Sequence, residues 1–109
     1  MSKLTIQVEN FKPLRSNTLF GFVDVLIPQL HLRIREVTVH DSHGRKWIGL
    51  PAKPQITRDG QARRDEHGKI AYSSIIQFTD RGTSNAFAQR VIEELLAAYP
   101  NAFGDEAAA

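Results

Sequence analysis

Apolar and polar residues alternate along the first part of the chain in the way that half-buried β-strands require. Leu4, Ile6 and Val8 alternate with polar residues, which predicts a first strand over residues 4–11. Turn-forming residues that begin with Pro13 then end this strand. The chain therefore opens with a strand that buries one face and exposes the other.

Residues 18–27 form a second predicted strand, with apolar side chains on both of its faces. A strand of this kind needs cover on both sides. In a chain this small we expect a helix to cover one face and a second subunit to cover the other. The alternation assigns Leu19, Val23, Val25 and Ile27 to one face and Phe20, Phe22 and Leu26 to the other.

The predicted third strand, residues 30–40, changes phase in its middle. Its apolar residues occupy even positions as far as Ile34 and odd positions from Val37 onwards. A shift of one residue moves every later side chain to the opposite face of a sheet. We therefore predict a β-bulge at Arg35 and Glu36, which would keep both halves of the strand facing the core.

Turn signals and two shorter strands follow. Residues 41–44 are turn formers, and residues 46–50 predict a fourth strand that Pro51 ends. Residues 51–68 contain few apolar side chains, so they predict a long exposed loop or a two-stranded arm. Connections of this length in a compact domain are commonly functional or disordered. Residues 70–78 return to alternation and predict a fifth strand.

An amphipathic helix is predicted after Thr79 or Asp80, either of which can act as its N-cap. Pro100 ends it, and residues 101–109 form a short acidic tail. With no internal repeat or linker, we predict one α+β domain over residues 1–100, a small antiparallel sheet of about five strands with one C-terminal helix packed on it. The apolar stripe of the helix consists of Phe87, Ala88, Val91, Ile92, Leu95, Leu96 and Tyr99.

Composition excludes several classes of protein. The chain has 109 residues and no Cys, which excludes a disulfide framework, a thiolate metal site and a cysteine nucleophile. It has no apolar run of the length that a signal peptide or a membrane span needs. We therefore expect a bacterial protein located in the cytoplasm.

The formal net charge of +2 conceals a separation of charge along the chain. Residues 33–69 have nine basic and five acidic side chains, whereas residues 91–109 have four acidic side chains and no basic one. A basic belt of this kind predicts contacts to phosphate groups, and a solvated surface of mixed charge is the alternative interpretation. The belt consists of Arg33, Arg35, Arg45, Lys46, Lys53, Arg58, Arg63, Arg64 and Lys69.

Residues that could catalyse a reaction or bind a metal are sparse. His40, Asp41 and His43 form the one cluster of metal-ligand type, but their spacing fits neither a helical metalloprotease site nor a zinc finger. Turn residues are the favoured interpretation, and a metal-dependent enzyme is the weakest hypothesis for the chain. Asp65 and Glu66 are neighbours in an exposed segment that does not shield them for acid–base work. We expect no enzyme, no catalytic residue, no metal site and no cofactor.

Trp47, Tyr72 and Phe22 are candidates for stacking on bases if they point outward from the sheet, because aromatic rings beside Arg and Lys bind single strands in this way. A place in the core is an equally good interpretation for Trp47, and it is the better one for Phe22. Arg81 lies at the predicted start of the helix, where free amide groups can assist contact with a phosphate. A cation near the positive end of the helix dipole is locally unfavourable, which favours a functional role for it.

The segment LRIREVTVHDSHGRKWIGLPAK, residues 32–53, resembles the sporulation stage V protein G (SpoVG) family of small bacterial regulators. The resemblance implies a dimeric regulator that binds DNA, or in some members RNA, through a small antiparallel sheet with a C-terminal helix. The order of strands is also loosely similar to that of coactivators that bind single-stranded DNA as ββββα dimers, an analogy of architecture alone. The matching pattern consists of Val37, Val39, Asp41, Gly44, Trp47-Ile48, Leu50-Pro51 and Lys53, followed by Asp59-Gly60 and a helix ending in Tyr99.

We therefore expect a homodimeric nucleic-acid-binding regulator, with DNA favoured over RNA and with no membrane or small-molecule partner. A non-enzymatic protein-interaction or scaffold domain is the alternative. The residues expected to contact phosphates are Arg33, Arg35, Lys53, Arg58, Arg63, Arg64 and Arg81, and those expected to stack on bases are Trp47 and Tyr72.

Overall fold

Four strands form an antiparallel sheet in which each strand lies beside the next one along the chain. The computed structural model describes residues 4–104. The sheet consists of β1 (Gln7–Ser16), β2 (Leu19–Ile27), β3 (Leu32–Ser42) and β4 (Arg45–Gly49), with a short 3-10 helix, Pro28–Leu30, between β2 and β3. A two-stranded sheet pairs β5 (Ala52–Pro54) with β6 (Tyr72–Ser74), and helix α1 (Arg81–Ala98) follows. The predicted α+β class is confirmed.

Helix α1 covers one side of the four-stranded sheet, which we call the helix face, and the opposite side is the outer face. The side chain of Asp80 caps the helix by accepting a hydrogen bond from the Thr83 N–H at 2.8 Å, as predicted. Phe87, Val91 and Leu95 of the predicted stripe are buried. The remaining core residues are Ile6, Phe20, Val23, Val25, Ile27, Ile34, Val37, Val39, Ala102 and Phe103.

The two faces of β2 differ from the prediction at one end of the strand. The pairing of β2 with β3 is irregular between Leu19 and Gly21, so side chains before Gly21 change sides. Phe20 is consequently buried in the core, with its ring centroid 5.5 Å from that of Phe103. Leu19, which the alternation placed on the same face as Val23 and Val25, instead lines a groove with Phe22 on the outer face.

The predicted bulge in β3 is confirmed. Val23 of β2 pairs with Val37, and Val25 pairs with Ile34, so β3 contains one residue more than β2 between these pairs. Glu36 has a φ of +59°, in the left-handed region that a non-glycine residue adopts only when its surroundings stabilise it.

The buried carboxylate of Asp24 stabilises this bulge and a second one. Its Oδ1 accepts a hydrogen bond from the Glu36 N–H at 3.0 Å, and its Oδ2 accepts one from the Asn10 side-chain amide at 3.1 Å. Asn10 lies at an irregularity of β1 and also has a positive φ. Burial alone would raise the pKa of Asp24, but these hydrogen bonds and the nearby charges of Arg35 and Lys12 outweigh it and hold the pKa below its ordinary value.

Predicted strand boundaries were wrong in two places. Strand β1 continues through Pro13 to Ser16, which is possible because β1 is an edge strand and a proline there removes no interior ladder bond. The predicted fifth strand over residues 70–78 is short, because only Tyr72–Ser74 pairs as a strand, and it pairs with β5 instead of with the main sheet. Ile76, assigned to that strand, lies outside it.

The segment after the helix also differs from its prediction. Helix α1 ends at Ala98, before Pro100. Residues 101–109 were predicted to form a tail, yet Ala102 and Phe103 are buried in the core, so the domain includes residues 101–104. Residues 105–109 lie outside the described residues. Within residues 4–104, no helix is long and apolar enough to cross a membrane.

Candidate nucleic-acid interface

Residues 52–74, which we call the arm, contain three short antiparallel pairings. Strand β5 pairs with β6, Ile56 bridges to Ala62, and Arg64 bridges to Ile70. The sequence predicted a loop or two strands for much of this segment, whereas the structure has a small assembly of three hairpin-like units.

A ring of three backbone hydrogen bonds joins these units at their centre. The Gln55 N–H donates to the Ala71 carbonyl, the Ala71 N–H to the Arg63 carbonyl, and the Arg63 N–H to the Gln55 carbonyl, each at 2.8 Å. Residues 55, 63 and 71 are eight positions apart, as are Gly60 and Gly68, whose φ angles of +80° and +79° suit glycine at a turn. The arm therefore contains a short structural repeat, and the prediction of no internal repeat was wrong.

The arm presents its charged side chains to solvent. It contains five basic and three acidic residues. Arg64 donates a hydrogen bond to the Gly68 carbonyl at 2.8 Å, and no ion pair among residues 4–104 involves any of the five cations. Cations without a carboxylate partner are available to phosphate groups. The exposed basic residues of the arm are Lys53, Arg58, Arg63, Arg64 and Lys69.

The other predicted phosphate contacts lie outside the arm. Arg33 forms an ion pair with Glu9 at 2.8 Å across the sheet, which reduces the charge that it offers to a ligand. Arg35 is exposed at the bulge of β3. Arg81 is exposed at the first position of α1, which places it beside the capping carboxylate of Asp80.

The helix start already has an anion bound to its amide groups. The backbone and side-chain hydrogen bonds from Thr83 hold the pKa of Asp80 below its ordinary value. This carboxylate occupies the position that a phosphate would need at the helix N-terminus. Arg81 could still contact a phosphate. The amide groups at the start of the helix, which were predicted to assist it, are instead hydrogen-bonded to Asp80.

A groove of about 600 Å³ lies between the arm and the outer face of the sheet. Tyr72, which the sequence proposed as a stacking residue, lines the groove and is 58% exposed. The sheet side is formed by Leu19, Phe22, Thr38 and His40, and the opposite side by Leu50 and Pro51 together with Ala52 and Tyr72 of the arm. The bulge residues Arg35 and Glu36 complete the lining.

Trp47 does not line this groove, but it contacts His40, which does. Its ring stacks on His40 with 5.2 Å between centroids and 2° between planes. The His40 Nε2 lies 3.0 Å from the Thr38 hydroxyl, which itself donates to the Gly49 carbonyl at 3.3 Å. Nε2 must therefore donate, and Nδ1 accepts from the Thr18 hydroxyl at 3.1 Å. Burial lowers the pKa of His40, which favours this neutral form.

The structure thus brings Tyr72 and Trp47 to one region through His40, which lines the groove and stacks on Trp47. Sequence reasoning missed His40 as a residue of this groove, and it considered Phe22 for stacking but favoured a place in the core. It considered His40 only as a metal ligand. The second apolar face of β2 was the pattern that could have identified Phe22.

The histidine cluster does not assemble. His40 and Asp41 are successive residues of a strand and so point to opposite faces, His40 toward Trp47 and Asp41 toward Lys46, with which it forms an ion pair at 3.3 Å. The part of the chain from 4 to 104 contains no group of three or more His, Asp or Glu side chains that could hold a metal.

Comparison with protein-family models, with curated proteins and with solved structures finds no match for this chain. The resemblance to the SpoVG family consequently rests on the residues of the β3–β4 segment quoted above.

Proposed function

We propose that the chain is a nucleic-acid-binding regulatory protein of the SpoVG type, in which the arm is the main phosphate-binding surface. The observation that supports this best is the set of exposed arm cations without a carboxylate partner among the described residues. Contacts to phosphates dominate the affinity of proteins for nucleic acids. Because the hydrogen-bonded ring holds the three hairpins together, less conformational entropy is lost when these cations bind a strand.

Binding should weaken steeply with salt. Labelled DNA and RNA oligonucleotides are titrated with protein at a series of salt concentrations, and affinity is read from fluorescence anisotropy. If all five arm cations contact phosphates, the logarithm of the association constant should fall with the logarithm of salt with a slope of about −4.5 for duplex DNA. DNA is the first ligand to test, because the family resemblance implies it. Absence of measurable affinity for both DNA and RNA at low salt would refute the proposal.

We also propose that the protein acts as a homodimer. Asp24 lies between Phe22 and Leu26 on the outer face of β2, so it divides the apolar surface of this strand into two parts. At the end of the sheet far from the groove, Leu26 and Leu32 line a shallow depression, and Leu30 of the 3-10 helix that joins β2 to β3 is 55% exposed. Clustered apolar side chains of this kind mark interfaces, and a two-fold axis lets one patch cover its copy.

Replacement of Leu30 and Leu32 by Glu should convert the dimer to a monomer. Sedimentation equilibrium of the unmodified protein should give twice the 12.3 kDa of the chain, and the variant should give a single chain mass. Leu14→Glu, at a 52% exposed position of β1, is the matched control and should stay dimeric. A concentration-independent monomer for the unmodified protein would contradict the dimer.

Exposed apolar side chains on and near the arm favour a protein-interaction domain as the second candidate. Ile56, Tyr72 and Ile75 are each more than half exposed. The ratio of absorbance at 260 and 280 nm of the purified protein, measured before and after a high-salt wash, distinguishes the two functions. One Trp and two Tyr absorb weakly, so nucleic acid bound to the protein would dominate this ratio. A protein complex that contains no nucleic acid, together with no salt-dependent binding, would support the second candidate.

A further inference from the structure

We infer that the groove between the arm and the outer face binds an unpaired nucleobase, so that the preferred ligand is a single strand. This inference rests on the proposed function and names the class of nucleic acid that it recognises. The groove, of about 600 Å³, falls within the range of sites that hold small organic groups.

The lining of the groove matches the two faces of a base. Phe22 and Leu19 form an apolar floor on the sheet, and Tyr72 supplies an aromatic ring from the opposite side. Aromatic rings stack on any base, because every base has a π-face. The hydroxyl and imidazole groups of Thr38 and His40 bond to each other and so present no unpaired polar group to an apolar ring face.

Two charged side chains that line the groove can contact the phosphate and the base edge of a nucleotide. Arg35 is exposed and forms no ion pair within residues 4–104, so it can contact a phosphate. Glu36, the second bulge residue, presents a carboxylate that can accept a hydrogen bond from the amino group of a base. The bulge therefore places two groups beside the groove, the Arg35 guanidinium for the nucleic-acid backbone and the Glu36 carboxylate for the edge of a base.

Charge favours a nucleic acid over a protein segment as the occupant. Arg35 belongs to the lining, and Lys53 directly follows Ala52, which also belongs to it. A strand with one base in the groove would bring its phosphates to these cations. An apolar segment of another protein would cover the same surface and leave the cations without partners, which costs free energy.

The test compares strands that differ only in their bases. A labelled single strand and a fully abasic strand of the same length carry the same phosphates, and a duplex of the same sequence has no free base. The unmodified protein should bind the single strand about 5- to 150-fold more tightly than the abasic strand, as expected for stacking of one base. Tyr72→Ala should remove most of this difference, and Tyr72→Phe should keep it, because Phe retains the ring. Arg35→Gln should weaken binding of the normal and the abasic strand equally.

Each alternative outcome has its own signature. Equal affinity for the normal and the abasic strand, or an unchanged difference in Tyr72→Ala, overturns the base site and leaves the arm as a phosphate-binding surface. Absence of binding to all three oligonucleotides overturns both proposals. If Tyr72→Ala instead converts a dimer into a monomer in sedimentation, a second copy of the chain occupies the groove and the base site is refuted. Since Tyr72 is 58% exposed, we expect the variant to fold, and its thermal unfolding curve verifies this.

Discussion

Replacement of Asp24 by Ala is expected to lower the free energy of unfolding by about 3 kcal/mol, because two hydrogen bonds to a buried carboxylate are lost together. Asp24 is 7% exposed. Its carboxylate accepts one hydrogen bond from the Glu36 N–H of β3 and one from the Asn10 side-chain amide of β1. In the Ala variant both donors would stay in the sheet without a partner, at backbone positions with positive φ. Urea denaturation at neutral pH measures the loss, and a change below about 0.5 kcal/mol would contradict it.

The pH dependence of the unfolding free energy distinguishes the contribution of the Asp24 charge from the contribution of the shape of its side chain. Hydrogen bonds and nearby cations hold its folded pKa below the ordinary value of 3.8, against the opposing effect of burial. A depressed folded pKa means that the stabilisation is present above pH 3.8 and is lost as the pH falls through the folded value. Asp24→Asn keeps the shape without the charge. The difference in unfolding free energy between the unmodified protein and this variant should therefore narrow in acid, and a difference independent of pH would contradict the explanation.

The order of strands and the helix could be predicted because their patterns come from burial on one face. The change of phase between Ile34 and Val37 located the β3 bulge, since only an extra residue keeps both on the helix face. The partner of that bulge could not be predicted. In the sequence, Asp24 is one polar residue in an apolar strand. Its hydrogen bonds with Asn10 and Glu36 depend on the relative register of three strands.

The arm was harder to predict, because its central interactions are backbone hydrogen bonds. Gln55, Arg63 and Ala71 share no side-chain property that would reveal the ring. The eight-residue spacing of Gly60 and Gly68 was the one available indication. The burial of Phe103 was missed for a different reason, because one aromatic residue after Pro100 has no periodicity to place it.

The candidate site was predicted in part. The five arm cations with exposed side chains include Lys53, Arg58, Arg63 and Arg64, which the sequence proposed from charge alone. Charge alone could not show that Arg33 pairs with Glu9, since these residues are 24 positions apart. It also could not show the groove, whose two walls come from the sheet and from the base of the arm.

Reversal of charge at Arg63 and Arg64 is expected to weaken binding of every nucleic-acid sequence by more than about 10-fold at low salt, because a phosphate would meet a carboxylate at each position. The slope of the salt dependence should also fall by about 2 in magnitude, as two phosphate contacts are removed. The ring bonds of Arg63 are made by its backbone, so Arg63→Glu leaves them in place. Arg64 makes one side-chain bond, to the Gly68 carbonyl, and Arg64→Gln alone measures the effect of losing it.

Arg90→Glu is the control for a general effect of net charge. Arg90 lies on α1, where it already pairs with Glu93 and Glu94 at 3.0 and 3.1 Å, so its reversal should leave the affinity for nucleic acid nearly unchanged. Because the arm variant reverses two charges and the control reverses one, a logarithmic loss of affinity in the control half as large as that in the arm variant would show that binding depends on the overall charge of the protein and not on the arm. A loss confined to one sequence would show that Arg63 or Arg64 contacts bases, because phosphate contacts do not distinguish sequences. A uniform loss in the arm variant alone would locate the phosphate contacts on the hydrogen-bonded hairpins.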